Sequence, residues 1–214
     1  MFEKKKGLAK MSEFVSLSDL AMLDENDPAF IQTLITQVME LELKLRDQQD
    51  MIDNLELDAM TDSLTGLANR RVFEEELHKS LSTVKRHKRK SAVLFIDIDA
   101  FKSINDQFGH LAGDMGLQHI ANILKANVRP TDVVARIGGD EFCIILNEVT
   151  SSRDVTNRTQ ILESIIARTP LLVDDKNIQL TVSIGARTFG QNDSFESVMA
   201  DADTKMYINK ASKS

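Results

Sequence analysis

Two β-type runs, DVVARI at 132–137 and FCIILN at 142–147, are separated only by Gly138, Gly139, Asp140 and Glu141. That spacing leaves room for little but a hairpin, and the Gly-Gly pair is expected to supply the positive φ that a tight two-residue turn uses. The rest of the chain has to be arranged around this hairpin. Before it come a helical stretch near 68–87 (Val72, Phe73, Leu77, Leu81, Val84), a buried strand AVLFID at 92–97, and helices at 99–107 and 113–127. After it come a helix near 154–168, a strand near 178–188 and a helix at 194–211. The basic run KRHKRK at 85–90 fits a solvated helix end.

The order α, β, αα, β-hairpin, α, β, α predicts an α/β (α+β) sandwich. The expected sheet is mixed and ferredoxin-like, similar to those of nucleotide cyclases and polymerase palms. With 214 residues, 42% of them hydrophobic, the chain can bury one core of about 150 residues and leave about 60 over.

Those extra residues have their own pattern. Ile31, Leu34, Val38, Leu41, Leu45, Gln48, Ile52, Leu55 and Ala59 follow the 3-4 alternation of heptad a and d positions. The spacing predicts a coiled-coil helix over 27–60 that dimerises the chain, with Asp27 as cap and Pro28 in the first turn. Its single polar core entry, Gln48, would fix register at some cost in stability. The alternative is an amphipathic helix folded back on its own domain. Residues 1–26 are expected to be a loose tail with one short helix near 16–23, and residues 61–214 the folded domain.

Charge narrows the function. Residues 1–60 hold 6 Lys and Arg against 13 Asp and Glu, which accounts for the whole net charge of −7. With no basic excess, no Trp and one Tyr, the chain lacks the footprint of a nucleic-acid binder. One cysteine excludes a disulfide framework, and no apolar run approaches the roughly 20 residues of a membrane helix. With no signal-peptide pattern at the start, the expected compartment is the cytoplasm and no membrane insertion is expected.

The segment FIDIDAFKSINDQFGHLAGD at 95–114 puts Asp97 at the end of a hydrophobic strand, with Asp99, Asn105, Asp106 and Asp114 after it. That strand edge is where an α/β sheet presents ligand groups. If strand 92–97 lies beside the hairpin, Asp97, Asp140 and Glu141 converge, and like charges so placed call for a hard divalent cation such as Mg²⁺. Gly138 and Gly139 would let a phosphate approach their N–H groups, with Lys102 nearby, which suggests a metal-bound triphosphate. The bland alternative is that Asp97 and Asp99 cap a helix and the glycines only make a turn.

Together DSLTGLANRR at 62–71, DIDAFKSINDQFGHLAGD at 97–114, RIGGDEF at 136–142, TVSIGA at 181–186 and ADTKMY at 202–207 resemble the GGDEF domain of diguanylate cyclases, over about 60–213 and in the expected order. The resemblance implies a Mg-dependent nucleotidyltransferase (Mn²⁺ as the alternative ion) in bacterial second-messenger signalling. Working as a homodimer, it would condense two GTP to cyclic di-GMP and two pyrophosphates. By the same resemblance Asp97, the Ile98 carbonyl, Asp140 and Glu141 are metal ligands, and Glu141 helps activate the 3′-hydroxyl. Asn105 and Asp114 read guanine, a carboxylate pairing with its N–H groups being what rejects adenine. Phe101, Lys102 and Lys210 surround the β- and γ-phosphates.

The family pattern usually continues with Gly-Arg-Asn after its YxAK-like segment, whereas here the segment reads YINKASKS, and Lys213 is the expected substitute phosphate ligand. Arg129 and Asp132 of RPTD match the family's RxxD inhibitory site for cyclic di-GMP, with Arg153 or Arg158 completing it. Two other functions fit the sequence. One is a catalytically lapsed module that senses cyclic di-GMP; the other is an adaptor coil for which the domain is regulatory ballast.

Overall fold

A computed structural model of the protein describes residues 28–213, so the expected tail at 1–26 and the Asp27 cap lie outside the described residues. The chain divides into two compact units, Met1–Leu55 and Glu56–Ser214. A helix, α1 (Pro28–Met60), begins in the first. Along it the seam positions Ile31, Val38, Leu41, Leu45 and Ile52 are exposed, Leu45 to 67%. An exposed apolar stripe of this kind on a charged helix has its hydrophobic free energy still to gain on being covered.

The second unit runs α2 (Arg70–His87), β1 (Ser91–Ile98), α3 (Phe101–Phe108), α4 (His110–Ala126), β2 (Val133–Gly138), β3 (Glu141–Leu146), α5 (Ser152–Arg168), β4 (Leu171–Val173), β5 (Lys176–Ile178), β6 (Val182–Phe189) and α6 (Phe195–Lys213). Four strands form a sheet in the order β2-β3-β1-β6. The crossovers β1-α3α4-β2 and β3-α5-β6 each skip one strand, which is the split βαβ arrangement of the ferredoxin-like fold. All the strand pairings are antiparallel, and the mixed character expected of the sheet is confined to one parallel bridge, Ala68 to Ala135, at its edge.

All eight residues of β1 are buried, because helices cover both faces of the sheet. Ala92, Leu94, Ile96 and Ile98 pack with α4 and α5, while Val93 and Phe95 pack with α2 and α6. Cys143 lies in this second cluster, as an alternating strand predicts. Asn69 caps α2 by accepting from the Val72 N–H, and Ser151 caps α5 by accepting from the Asp154 N–H. The basic run at 85–90 is an exposed helix end with Lys88 in the left-handed region.

Two expectations about local structure are corrected. Ahead of β6 a separate small hairpin, β4-β5, turns through Asp174 (φ 45°) and Asp175 (φ 61°), so the strand expected near 178–188 is shorter. The glycine turn does not use positive φ: among the described glycines only Gly66 and Gly109 have it. The chain reverses at Gly139 and Asp140, between the paired residues Gly138 and Glu141, and a register shift between Arg136 and Gly138 bends the strand just before this turn, as a bulge does. Gly138 lies beside the Glu141 carboxylate, a Cβ there falling 2.9 Å from Oε2, which a small movement of that flexible side chain would relieve.

Candidate active site

Asp97 stands directly opposite Glu141 on β3 and Ser183 on β6. Cross-strand partners project from one face with Cβ atoms about 5 Å apart, so strand register alone brings the two carboxylates together. Asp140 joins them through its carbonyl, which accepts from the Ile98 N–H at 3.3 Å. Asp99 is fixed by Ser183, whose hydroxyl donates to Oδ1 at 2.6 Å.

The electrostatics follow from this crowding. Burial pushes the Asp97 carboxyl above its usual range; a hydrogen bond from Lys210 opposes this, while the charges of Asp140 and Asp99 add to it. Burial likewise raises Glu141, reinforced by Asp97, Asp140 and Asp203. A raised carboxylate is a better proton acceptor than an ordinary one. Among the described residues no three His, Cys, Asp or Glu side chains form a ready-made metal cluster. The donor set still suits Mg²⁺, which is usually held by one or two carboxylates together with substrate phosphates and water.

Lys210 supplies the counter-charge, its Nζ lying 2.5 Å from Asp97 Oδ1. Helix α6 reaches this point because Gly185 on β6 has no side chain. A Cβ there would fall 2.0 Å from the Ala202 carbonyl oxygen and 2.2 Å from the Met206 nitrogen. Lys213 is not placed as the substitute phosphate ligand. Its Nζ donates to the Val182 carbonyl at 2.7 Å and to Glu163 at 3.0 Å, because the helical repeat carries it past the strand end toward α5.

The α3-α4 corner brings Asn105 and Asp114 together. Gly113, which precedes Asp114, lies so close to Asn105 that a Cβ would sit 1.9 Å from Asn105 Oδ1 and 3.3 Å from the Phe101 ring. Asp114 is exposed, Asn105 and Phe101 half-buried, and Lys102 exposed. A carboxylate and an amide open to solvent beside a ring edge can accept from and donate to a planar base.

The turn itself is held by residues that the sequence did not single out for that task. Arg136 donates from Nε and Nη2 to the Gly139 carbonyl at 3.0 and 2.8 Å, and from Nη1 to both Asp62 oxygens at 3.0 and 3.1 Å. Asp62 also accepts from the Thr65 amide and hydroxyl. Motif membership marked Asp62, Arg136 and Gly185, but nothing in their spacing announced a contact.

On the far side of the sheet Arg129, Asp132, Asn147, Val155 and Arg158 line a concave pocket. The Asp132 carboxylate accepts from the Arg129 and Asn147 amides at 3.0 and 3.1 Å. Of the two candidate arginines it is Arg158 that approaches, with Nη2 3.9 Å from Asp132 Oδ2, while Arg153 is exposed.

An antiparallel ferredoxin-like sheet with acidic residues at a glycine turn, one of them paired with a lysine from the last helix, defines the class of α+β domain to which this chain belongs. The chain belongs to the GGDEF family, residues 59–214 matching the domain described as "Diguanylate cyclase, GGDEF domain". It is 35% identical over 198 residues to diguanylate cyclase TpbB of Pseudomonas aeruginosa, covering 91% of this chain and 43% of TpbB. It is also 35% identical over 165 residues to diguanylate cyclase A of Treponema denticola, covering 74% of this chain and 44% of that protein. This chain therefore spans less than half the length of these relatives. Among solved structures, the coiled coil and GGDEF domain of DgcB from Caulobacter crescentus, in complex with c-di-GMP, superposes with a TM-score of 0.76 at 26% identity, covering 84% of this chain and 95% of that one. A TpbB structure comprising only the GGDEF domain gives 0.68 at 38% identity, covering 71% and 89%.

Proposed function

We propose that this chain is a diguanylate cyclase that condenses two GTP into cyclic di-GMP and two pyrophosphates. The observation that carries the reading is the juxtaposition of Asp97, Asp140 and Glu141 around an intact glycine turn, at the edge of a sheet whose relatives bear that name. In each half-reaction the 3′-oxygen of one GTP bonds to the α-phosphorus of the other, and the bond from that phosphorus to pyrophosphate breaks. The 3′-hydroxyl proton leaves toward the carboxylates, and Glu141, directly across the strand pair from Asp97, is its proposed acceptor.

Asp97, the Ile98 carbonyl, Asp140 and Glu141 would hold the divalent ion, Mg²⁺ by preference with Mn²⁺ as substitute. When bound, that ion neutralises charge developing on the phosphates. Asn105 and Asp114 select guanine, and Phe101 walls the base. Lys102 and Lys210, with the amides at Gly138 and Gly139, serve the β- and γ-phosphates. Each domain presents one such half-site, so the active species is a homodimer joined through the heptad seam of α1. GTP as substrate and a single reduced cysteine suit work in the cytoplasm, and among the described residues no helix is long and apolar enough to cross a membrane.

The pocket of Arg129, Asp132 and Arg158 is the proposed feedback site for the product. Arginines can meet its phosphates in a bidentate fashion and stack on its bases. Incubation of the purified chain with GTP and Mg²⁺, followed by chromatography for cyclic di-GMP, tests the activity. Binding of cyclic di-GMP without turnover would favour the lapsed sensor module instead.

A further inference from the structure

The ion pair between Lys210 and Asp97 occupies an oxygen that a metal would need. Lys210 Nζ lies 2.5 Å from Asp97 Oδ1. Mg²⁺ and its oxygen ligands stand about 2.0–2.1 Å apart, so an ammonium hydrogen-bonded to that oxygen and a metal bound to it would be two cations in near contact. The two cations compete for that oxygen by like-charge repulsion. The acidic residues around Asp97 otherwise repel one another, and Lys210 is the cation paired with Asp97.

The backbone that carries Lys210 has little freedom to follow a ligand. Gly185 seats α6 against β6 at Ala202 and Met206, and Lys213 is tied to Val182 and Glu163. Asn209, the preceding residue, donates to Glu163 and to the Ile184 carbonyl at 3.3 and 3.4 Å. The lysine side chain is 36% exposed and has a flexible four-carbon stem, so it can swing while the helix stays put.

We propose that Lys210 is a placeholder cation, neutralising Asp97 while the site holds neither metal nor nucleotide and vacating that oxygen when a divalent ion arrives. This rests on the reading of the site as one for a metal and a triphosphate. Phosphate oxygens offer the displaced ammonium a new partner, so metal and nucleotide enter together and metal alone binds weakly. By linkage, whatever removes the lysine from Asp97 must tighten metal binding to the free protein.

The test uses the full chain without nucleotide and Mn²⁺ as the probe, with free Mn²⁺ followed by electron paramagnetic resonance. Lys210→Met should bind Mn²⁺ at least about fivefold more tightly than wild type. Lys210→Arg should not, because a guanidinium also pairs with the carboxylate. Adding Asp97→Asn to Lys210→Met should erase the gain and so locate it at Asp97. Unchanged or weaker Mn²⁺ binding by Lys210→Met overturns the proposal, and should that variant fail to fold, Lys210→Gln serves with the same expectation. Failure of the cyclase reading is seen separately, as wild-type protein that makes no cyclic di-GMP, and leaves the nucleotide-free titration interpretable.

Discussion

Arg136 lies 3.0 Å from Asp62 through Nη1, while Nε and Nη2 of the same guanidinium hold the Gly139 carbonyl. One planar fork thus ties the start of the domain to the turn that carries Asp140 and Glu141. Burial works to raise the Asp62 carboxyl, but hydrogen bonds from Thr65 and Arg136 outweigh it and leave it below the ordinary 3.8. A depressed carboxylate stabilises the fold above its unfolded value and loses that contribution as pH falls through the folded one. Asp62→Ala should therefore cost about 1–3 kcal/mol at neutral pH by leaving a half-buried guanidinium unpaired. The penalty should shrink below about pH 4. Arg136→Lys should fail to preserve the turn, because an ammonium cannot span both partners. Urea denaturation at pH 7 and pH 3 checks the first two statements, and equal penalties at both pH values would show that the pair is not the cause.

Glu141→Gln separates chemistry from folding. Synthesis should vanish while GTP binding stays within about tenfold, because the proposed base and phosphate contacts lie elsewhere. Stability should move the other way. A carboxylate raised by burial and by Asp97, Asp140 and Asp203 destabilises the fold once it is ionised, so the neutral amide should be more stable at pH 7. The gain should be about 0.5 kcal/mol after solvent screening. It should disappear as pH falls below the ordinary glutamate value of 4.5, where wild-type Glu141 is itself protonated. Thermal unfolding at pH 7.5 and pH 4 measures both arms; a less stable variant at pH 7.5 would contradict the crowding of like charges.

Much of this was legible in the sequence, and the reasons for the rest are physical. The unbroken apolar run 92–96 identifies a strand covered on both faces, and DVVARI and FCIILN can pair only as a hairpin. From these the register that sets Asp97 opposite Glu141 nearly follows. The β4-β5 hairpin was hidden because it turns on Asp174 and Asp175, both with positive φ and neither glycine. The glycine turn misled in the opposite sense: neither Gly138 nor Gly139 supplies a left-handed residue. Long-range partners carry no sequence period at all. Nothing in YINKASKS tells that Lys210 faces Asp97 and Lys213 faces Glu163, since that depends on where Gly185 lets the helix settle.

Gly185 can be tested for that reason. A methyl group there would meet the Ala202 carbonyl at 2.0 Å and the Met206 nitrogen at 2.2 Å, both backbone atoms that no rotamer change can move. Gly185→Ala should cost about 3 kcal/mol or more, at the upper end for overpacking, and should pull α6 and Lys210 away from Asp97. Chemical denaturation gives the first quantity. A variant as stable as wild type would mean that the helix can slide, and Lys210 would then have no fixed station.

The base corner predicts a change of substrate preference. Asp114 is exposed beside Gly113, where Asn105 closes against the helix. Asp114→Ser removes the acceptor proposed for the guanine N–H groups, which should cost GTP about 1–3 kcal/mol. ATP, which has no such donors, should be little affected, so the GTP-to-ATP ratio of kcat/KM should fall. Competition assays with the two nucleotides read that ratio directly, and an unaltered ratio would move guanine recognition elsewhere.

The helix α1 should govern activity through the population of dimers. Its seam residues Leu41 and Leu45 are 58% and 67% exposed in the single chain, apolar surface that the proposed partner helix would take out of water. Each buried leucine contributes about 1.5–3 kcal/mol to association, and Leu41→Asp with Leu45→Asp replaces that gain with charges that would have to be buried unpaired. The double variant should be monomeric, and its half-sites would then meet only by diffusion, so specific activity should fall steeply and recover as protein concentration rises. A wild-type coil that pairs as proposed would hold the two sites at high effective concentration, and its specific activity should be nearly flat over the same range. Light scattering run beside the assay decides the matter. A monomeric double variant with full, concentration-independent activity would refute coupling through the coil, and one that remains dimeric would place the interface outside α1.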